Sequence, residues 1–96
     1  MGKFVADPDV LVREGTSIVG LSDEFIANVN DTYDTLDNLV ANEYMSPEAL
    51  AIKKEIDGYR EDLNKMGQVI NDYGRFCINS GEKVIRNQDR IIDEIK

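Results

Sequence analysis

Apolar residues in the second half of the chain recur at alternating spacings of four and three, with a mean of about 3.5 residues. Such a repeat forms a heptad seam, a stripe that a left-handed supercoil keeps turned toward a neighbouring helix. The seam consists of Ile52, Ile56, Tyr59, Leu63, Met66, Ile70, Tyr73, Cys77 and Val84. A second stripe widens the face, so this helix needs more than one neighbour; it includes Val69, Phe76, Ile85 and Ile92.

A similar but less regular seam runs through the first half of the chain. Its apolar positions are Leu11, Ile18, Phe25, Val29, Leu36 and Leu39. Gly15 and Gly20 weaken it, because a glycine inside a helix costs about 0.5–1 kcal/mol relative to alanine. We therefore expect a kink or local break near residues 20–23. The alternative is that Ser22 caps a separate helix.

Helix-starting residues occur at two places. Ser46 is a good N-cap and Pro47 suits the first helical position, and Asp7 and Pro8 repeat this arrangement near the N-terminus. We expect a single domain over residues 1–96, with one helix at about 8–42, a turn at 43–46 and a second helix at about 47–95. Two such rods on a short turn lie antiparallel.

A chain of 96 residues buries only a marginal core by itself. The predicted fold is therefore an all-α antiparallel helical hairpin that dimerises into a four-helix bundle. The net charge of −8 is divided unevenly, −7 up to Glu43 and −1 from Tyr44 onward. This asymmetry favours laying the acidic first helix against the more basic second helix, although each exposed ion pair adds only about 0–1 kcal/mol.

Charge and hydropathy also exclude several classes of partner. A bare acidic surface argues against binding the phosphate backbone of a nucleic acid. No segment approaches the ~20 apolar residues of a membrane span, so stable membrane insertion is not expected. The N-terminus lacks the apolar stretch of a secretory signal, so any export is expected to follow a route without a cleaved signal.

Residues for catalysis and metal binding are scarce. The chain has no histidine, the usual general base and the commonest transition-metal ligand. Cys77 lies in the seam, where a small core residue is favoured over a reactive thiol. Asp31, Asp34 and Asp37 recur every three positions without the calcium-loop pattern, which favours a solvated helix face. We expect no enzyme activity, no cofactor and no metal site.

Three glycines repeat at intervals of seven residues, at Gly67, Gly74 and Gly81. One interpretation is a smooth strip where another helix approaches closely. The other is a coincidence on a solvent-facing side of the helix. Because interior glycines weaken a helix, three at one heptad position should have some compensation.

Two short motifs carry a resemblance to a known family. The N-terminal lead contains Val5, Asp7, Pro8 and Leu11, and the turn reads Tyr44-Met45-Ser46-Pro47-Glu48-Ala49. With its length and layout, the chain resembles the WXG family of early-secreted-antigen-like proteins, which type VII secretion systems of Gram-positive bacteria export. Family members carry Trp-x-Gly or Trp-x-Ser at the turn, and here tyrosine replaces the tryptophan. Their second mark, Tyr-x-x-x-Asp/Glu, falls on Ile85 and Asp89, of which only the aspartate fits.

The resemblance implies a hairpin that dimerises head to tail and is exported folded, from the cytoplasm to the cell surface or medium. It implies two possible virulence-associated roles, an exported substrate or a targeting partner of a larger toxin, and the degenerate motifs shift weight to the second. The implied partners are a second hairpin, identical or different, the helical N-terminal region of a toxin, and the secretion machinery. In this interpretation Tyr44 packs at the turn and Asp89 lies near the recognition end. The alternative is an intracellular coiled-coil adaptor or assembly subunit with no export role.

Overall fold

The computed structural model describes residues 7–95, with only the backbone described for residues 91–95. Three helices follow one another: α1 (Pro8–Asn42), α2 (Pro47–Asp57) and α3 (Arg60–Ile95). No strand occurs within residues 7–95, so the all-helical class predicted from the sequence is confirmed. The molecule measures 74 × 30 × 15 Å, and its radius of gyration of 21.5 Å far exceeds the roughly 12–13 Å of a compact domain of this length.

Side chains cap the starts of α1 and α2, as predicted. The Asp7 carboxylate accepts a hydrogen bond from the Asp9 N–H at 2.8 Å, next to Pro8. The Ser46 hydroxyl accepts one from the Ala49 N–H at 3.2 Å. Each cap satisfies a backbone donor that has no partner inside its helix, which explains why the helices begin where they do.

A turn at Gly58 and Tyr59 divides the helix that was expected to run unbroken over residues 47–95. The Tyr59 N–H donates to the Ile56 carbonyl at 3.0 Å, three residues back instead of four. The Gly58 N–H is shared between the carbonyls of Lys54 and Glu55, at 3.2 and 3.1 Å. This local tightening falls at a glycine, the weakest helix former after proline. α2 is consequently a separate short helix.

A local break of the first helix near residues 20–23, one of the expectations from the sequence, is absent, and the alternative of a separate helix capped by Ser22 is wrong. α1 is continuous from Pro8 to Asn42, and Ser22 lies inside it. The Ser22 hydroxyl donates to the Val19 carbonyl of the same helix at 2.8 Å instead of capping a new one. Gly15 is buried against α3, so tertiary contact offsets the low helix propensity of the glycine.

α1 and α3 run antiparallel and lie very close together along a line of glycines. Gly81 faces Pro8, and Gly74 faces Gly15, so residue numbers rise on one helix as they fall on the other. A Cβ atom on Gly74 would lie 2.9 Å from the Gly15 carbonyl oxygen, and one on Gly81 would lie 2.6 Å from that of Pro8. Of the two interpretations, the close approach of a helix is therefore observed, and that helix is α1 of the same chain. We call Gly67, Gly74 and Gly81 the glycine strip.

Candidate interaction face

Few large apolar side chains are fully buried in the contact between α1 and α3. Among the side chains that the structure describes, the buried hydrophobic ones are Tyr33 and Cys77, which are 3% and 9% exposed. Two polar residues are buried as deeply, Ser22 at 1% and Asn71 at 5%. Glycines and polar side chains thus take most of the deeply buried positions, whereas larger side chains that contact the glycines, such as Val19 and Ile26, are half-buried. This arrangement limits the apolar area that folding of one chain removes from water.

Asn71 connects the two helices in the middle of the contact. Its side-chain N–H₂ group donates to the Ser22 hydroxyl at 2.8 Å and to the Asp23 carboxylate at 3.0 Å. Its carbonyl oxygen accepts a hydrogen bond from Arg75 Nε at 2.7 Å. The amide therefore has partners on both its donor and its acceptor side, as buried polar groups require. The heptad analysis missed this residue, since it lies outside the apolar seam.

Lys53 connects α2 with α1 near the turn. Its ammonium group lies 2.8 Å from the Asp37 carboxylate of α1 and 2.7 Å from that of Asp57 in its own helix. The hydrogen bond from Lys53 holds the pKa of Asp37 below its ordinary value, although partial desolvation acts in the opposite direction. Hydrogen bonds to Asp37 and then Asp57 raise the pKa of Lys53. An acidic side chain of the first half here meets a base of the second half.

Arg60 and Tyr33 join the helices just beyond this point. The Arg60 guanidinium lies 5.0 Å from the centre of the Tyr33 ring, within the range of a cation–π contact. It also lies 3.7 Å from the Asp34 carboxylate. The Tyr33 hydroxyl donates to the Ile56 carbonyl at the end of α2. These contacts satisfy the phenol group that burial of the ring would otherwise leave without a partner.

Large apolar side chains collect on one side of the hairpin. Leu21 immediately precedes the buried Ser22, and Tyr73 immediately precedes the buried Gly74. One position corresponds to about 100° of rotation, so both side chains are turned to the same rotational side of their contact line. Because the two helices are antiparallel, the same rotational side on each is the same side of the hairpin. The apolar flanks of α1 and α3 therefore form one surface.

Charged side chains collect on the opposite side. Asp23 immediately follows Ser22, and Arg75 immediately follows Gly74, which rotates both about 100° the other way. The hydrogen bonds of Asn71 to these two residues lie on this side. We call the exposed charged surface that these positions form the charged face: Asp23, Asp34, Asp72, Arg75 and Glu82.

The surface of large apolar side chains continues over most of the length of the hairpin. Leu21 is 63% exposed, Tyr73 60% and Phe76 66%, although each is large and apolar. We call this surface the apolar face: Val10, Leu21, Leu39, Tyr59, Met66, Val69, Ile70, Tyr73, Phe76 and Val84. Contiguous exposed apolar surface of this kind marks a site of protein association more often than single exposed residues do.

Most of the predicted seam belongs to the apolar face and stays exposed in the hairpin. Cys77 is buried, and Ile56 and Leu63 are half-buried. The other members are exposed: Ile52, Tyr59, Met66, Ile70, Tyr73 and Val84. Within the hairpin α1 packs on the glycine strip instead. Each glycine of the strip lies one residue after a seam position, as Gly74 follows Tyr73. Packing of the seam against another protein stays a prediction.

An apolar cleft of about 200 Å³ lies at the turn end, between the last turns of α1 and the helix α2. Its lining is almost wholly apolar, and Lys53 is the charged residue among the lining residues. Leu39, on the apolar face, and Ile52, in the predicted seam, both line it, so it adjoins the surface described above. The lining residues are Leu36, Leu39, Val40, Met45, Ala49, Ile52, Lys53 and Ile56.

Of the residues that carry the family resemblance, Val5 lies outside the described residues, and the others lie near the two ends of the rod. Tyr44 is 89% exposed and, contrary to expectation, does not pack at the turn within the single chain, because it lies on the non-helical link between α1 and α2. Ser46 caps α2, followed by Pro47. Near the other end Ile85 is half-buried and Asp89 is exposed.

Two further properties concern only residues 7–95. No group of three or more cysteine, aspartate and glutamate side chains within residues 7–90, whose side chains are described, is placed to hold a metal ion. None of the described helices is both long enough and apolar enough to pass through a lipid bilayer.

We compared the chain with protein-family models, with curated proteins and with solved structures, and none of them matches. Inferences about function therefore depend on the two faces of the hairpin and on the turn. Asp23 and Arg75 of the charged face already form hydrogen bonds with Asn71 within the chain, whereas the large side chains of the apolar face are exposed.

Proposed function

We propose that this protein acts by helix-on-helix association, docking its apolar face against a second helical hairpin to complete a four-helix bundle. The observation that carries the proposal is the inverted placement of side chains. Phe76 and Tyr73 are mostly exposed, while Ser22 and Asn71 occupy the inside. Covering the apolar face would remove from water the large side chains that the chain itself leaves exposed.

The area available for such docking is large. The chain exposes 7452 Å², whereas a compact monomer of 10.8 kDa exposes about 5,500 Å². Part of the excess of about 1,900 Å² reflects the elongated shape. A standard protein interface removes about 800 Å² from each partner, so the hairpin has enough surplus surface for an extensive interface.

Net charge does not oppose pairing with a second copy. The chain carries −8, but the charged face lies on the side opposite the apolar face. Two hairpins joined through their apolar faces would keep their charged faces apart by about twice the 15 Å thickness of each. That separation exceeds the Debye length of about 8 Å at physiological salt, so repulsion between the charged faces would be largely screened.

The biological setting that we propose is type VII secretion, with the chain as a WXG-like exported substrate or as the targeting partner of a larger toxin. Antiparallel helices joined by a short turn support this setting, as does an exposed aromatic residue, Tyr44, beside the capped start of α2. Asp89 is exposed, and a secretion motif has to be accessible to the machinery that recognises it. An intracellular adaptor with no export role would use the same apolar face, so export itself separates the two hypotheses.

Light scattering of the purified chain tests association. We expect the natural chain to form a dimer and Tyr73→Asp to be monomeric with unchanged helicity, because docking would bury an unpaired charge. Asn79→Asp is the matched control, because it adds the same charge at an exposed position. Asn79 lies on the side of α3 that carries the charged face. If Tyr73→Asp assembled like the natural chain, the apolar face would not be the docking surface.

Export is tested separately, in a Gram-positive host with an intact or a disabled type VII system. We expect the chain in the culture supernatant, without a cytoplasmic lysis marker, only when the system is intact. Tyr44→Ala and Asp89→Ala should reduce export and leave the dimer mass unchanged, since both side chains are exposed. Normal assembly without export in any strain would favour the intracellular adaptor.

A further inference from the structure

The glycine strip alone leaves the register of α1 on α3 open. Its members recur every seven residues, and glycine has no side chain that would distinguish one register from the next. If α1 slid by seven residues, about 10 Å, it would again lie along the same glycines. Gly15 would then take the place of Pro8, and Ser22 that of Gly15. In that register a Cβ atom of residue 22 would meet α3, since a Cβ atom at Gly15 would lie 2.7 Å from the Gly74 carbonyl oxygen. Close backbone approach is thus compatible with the shifted register only if residue 22 is glycine.

The connection between the helices does not by itself exclude such a slide. Residues 43–46 link Asn42 to Pro47 without helical structure. In addition, the turn at Gly58 and Tyr59 separates α2 from α3. The register must therefore be selected by contacts between α1 and α3.

One buried polar pair distinguishes the observed register from its neighbours. Ser22 and Asn71 are both almost fully buried, and they share a hydrogen bond of 2.8 Å. A slide of seven residues would place either Val29 or Gly15 where Ser22 now lies, and neither has a side-chain acceptor. The buried amide of Asn71 would lose this partner, which disfavours the shifted arrangements.

We propose that Ser22 and Asn71 fix the register of α1 on the glycine strip and thereby align the two parts of the apolar face. A single polar residue at a helix contact is the best-attested way to specify register among packed helices. In the observed register Leu21 of α1 and Tyr73 of α3 belong to one surface. A slide of seven residues would displace them by about 10 Å relative to each other. The pair is therefore a positioning device for docking, whichever partner the face accepts.

Disulfide reporters in a Cys77→Ser background can measure the register. Asn30→Cys with Asn64→Cys reports the observed one, because these side chains meet at 3.4 Å. Asp37→Cys with Asn64→Cys reports the slide of seven residues, which would bring position 37 to the place of position 30. The readout is the fraction of chains with an intrachain disulfide in each reporter, which a role in stability alone would not redistribute.

Moving the acceptor should move the helix. Ser22→Gly with Val29→Ser shifts the hydroxyl by seven residues and removes the Cβ atom that would meet the Gly74 carbonyl in the shifted register. We expect the ratio of the 30–64 to the 37–64 disulfide to fall by about tenfold. The control Ser22→Asn with Asn71→Ser exchanges the partners in place and should retain the 30–64 disulfide. A 30–64 disulfide at its natural yield in the first variant, or a shifted disulfide in the exchanged control, would overturn the proposal.

A further variant covers the case in which the shifted chain loses its helical circular dichroism. Ser22→Gly with Asn71→Leu removes the whole pair and leaves the glycine strip intact. We expect both disulfides to form in this background, because neither the buried pair nor a Cβ atom at position 22 then disfavours the shifted register. Formation of the 30–64 disulfide alone would show that other contacts set the register, and would equally overturn the proposal.

Discussion

Most folded proteins bury large apolar side chains most deeply and expose polar ones. In this hairpin most of the deeply buried positions hold glycines and polar side chains, while the apolar face exposes large apolar side chains. Along the α1–α3 contact lie glycines and the polar pair Ser22 and Asn71, which are 1% and 5% exposed. On the apolar face Phe76 is 66% exposed and Tyr73 60%. The contact within the chain provides close approach and a defined alignment, while the large side chains of the apolar face are left for another protein. Substitutions on the two surfaces should therefore have different signatures.

The largest effect on the stability of the hairpin is expected from Gly74→Ala. The new methyl group would lie 2.9 Å from the Gly15 carbonyl oxygen and 2.9 Å from a methyl carbon of Val19. Overpacking of a close contact destabilises by about 1–3 kcal/mol. Urea denaturation at one fixed protein concentration measures this loss in the free energy of unfolding.

Gly20→Ala is the matched control for that substitution. A Cβ atom at Gly20 would have no neighbour within 4 Å, so only helix propensity should change. The free energy of unfolding is expected to rise by about 0.5–1 kcal/mol. The same chemical change would then have opposite signs at two positions. Equal effects at Gly20 and Gly74 would contradict the role assigned to the glycine strip.

A smaller loss, about 1 kcal/mol in the free energy of unfolding, is expected for Ser22→Ala. The substitution removes one acceptor of the buried Asn71 amide, which keeps its hydrogen bond to Asp23. Thermal unfolding followed by circular dichroism measures the change. Ser17→Ala, at an exposed position of the same helix, should stay within about 0.5 kcal/mol of the natural chain. A Ser22→Ala chain as stable as that control would remove the contrast between inside and outside.

On the apolar face, Val69→Ala should leave the free energy of unfolding within about 0.5 kcal/mol when the chain is dilute and monomeric. Val69 is 61% exposed in the hairpin, so its truncation removes little that the single chain buries. At concentrations where the natural chain assembles, the variant should melt at a lower temperature, because association stabilises the folded state by mass action. A loss independent of concentration would mean that Val69 supports the hairpin itself.

The smallest effect concerns the ion pair between Lys53 and Asp37 near the turn. The lowered pKa of Asp37 makes its contribution present above pH 3.8 and lost as the pH falls through its folded-state pKa. The raised pKa of Lys53 makes its contribution present below pH 10.5 and lost as the pH rises beyond it.

Melting temperatures of the natural chain and of Lys53→Met should thus differ by a constant, small amount between these limits. The difference should shrink at both extremes, and it should stay small because partly exposed ion pairs contribute little. A difference that grew toward acid pH would contradict this assignment of the ion pair.

Local chemistry in the sequence was sufficient for the helices and their starts. Asp7 and Ser46 have side-chain acceptors within reach of backbone donors in the next turn, and this depends on neighbouring residues alone. The heptad repeat likewise identified an apolar stripe on the second helix, most of which lies on the apolar face. The positions of glycines in the sequence were not sufficient to predict where a helix is interrupted. The expected break near residues 20–23 is absent, while one occurs at Gly58. Ser22 of the first stretch is hydrogen-bonded to Asn71 of α3, whereas a Cβ atom at Gly58 would meet only carbonyl oxygens of its own helix within 4 Å.

By itself, the sequence determined that this chain is all helical, where α1 and α2 begin, and which residues form the apolar stripe. Only the tertiary structure decided which side of α3 receives α1. Periodicity places the seam and the glycine strip about 100° apart on one helix and does not say which of them the chain uses internally. The glycines allow the backbones to approach more closely than the large seam residues would. α1 therefore occupies the glycine strip, and most of the seam stays exposed.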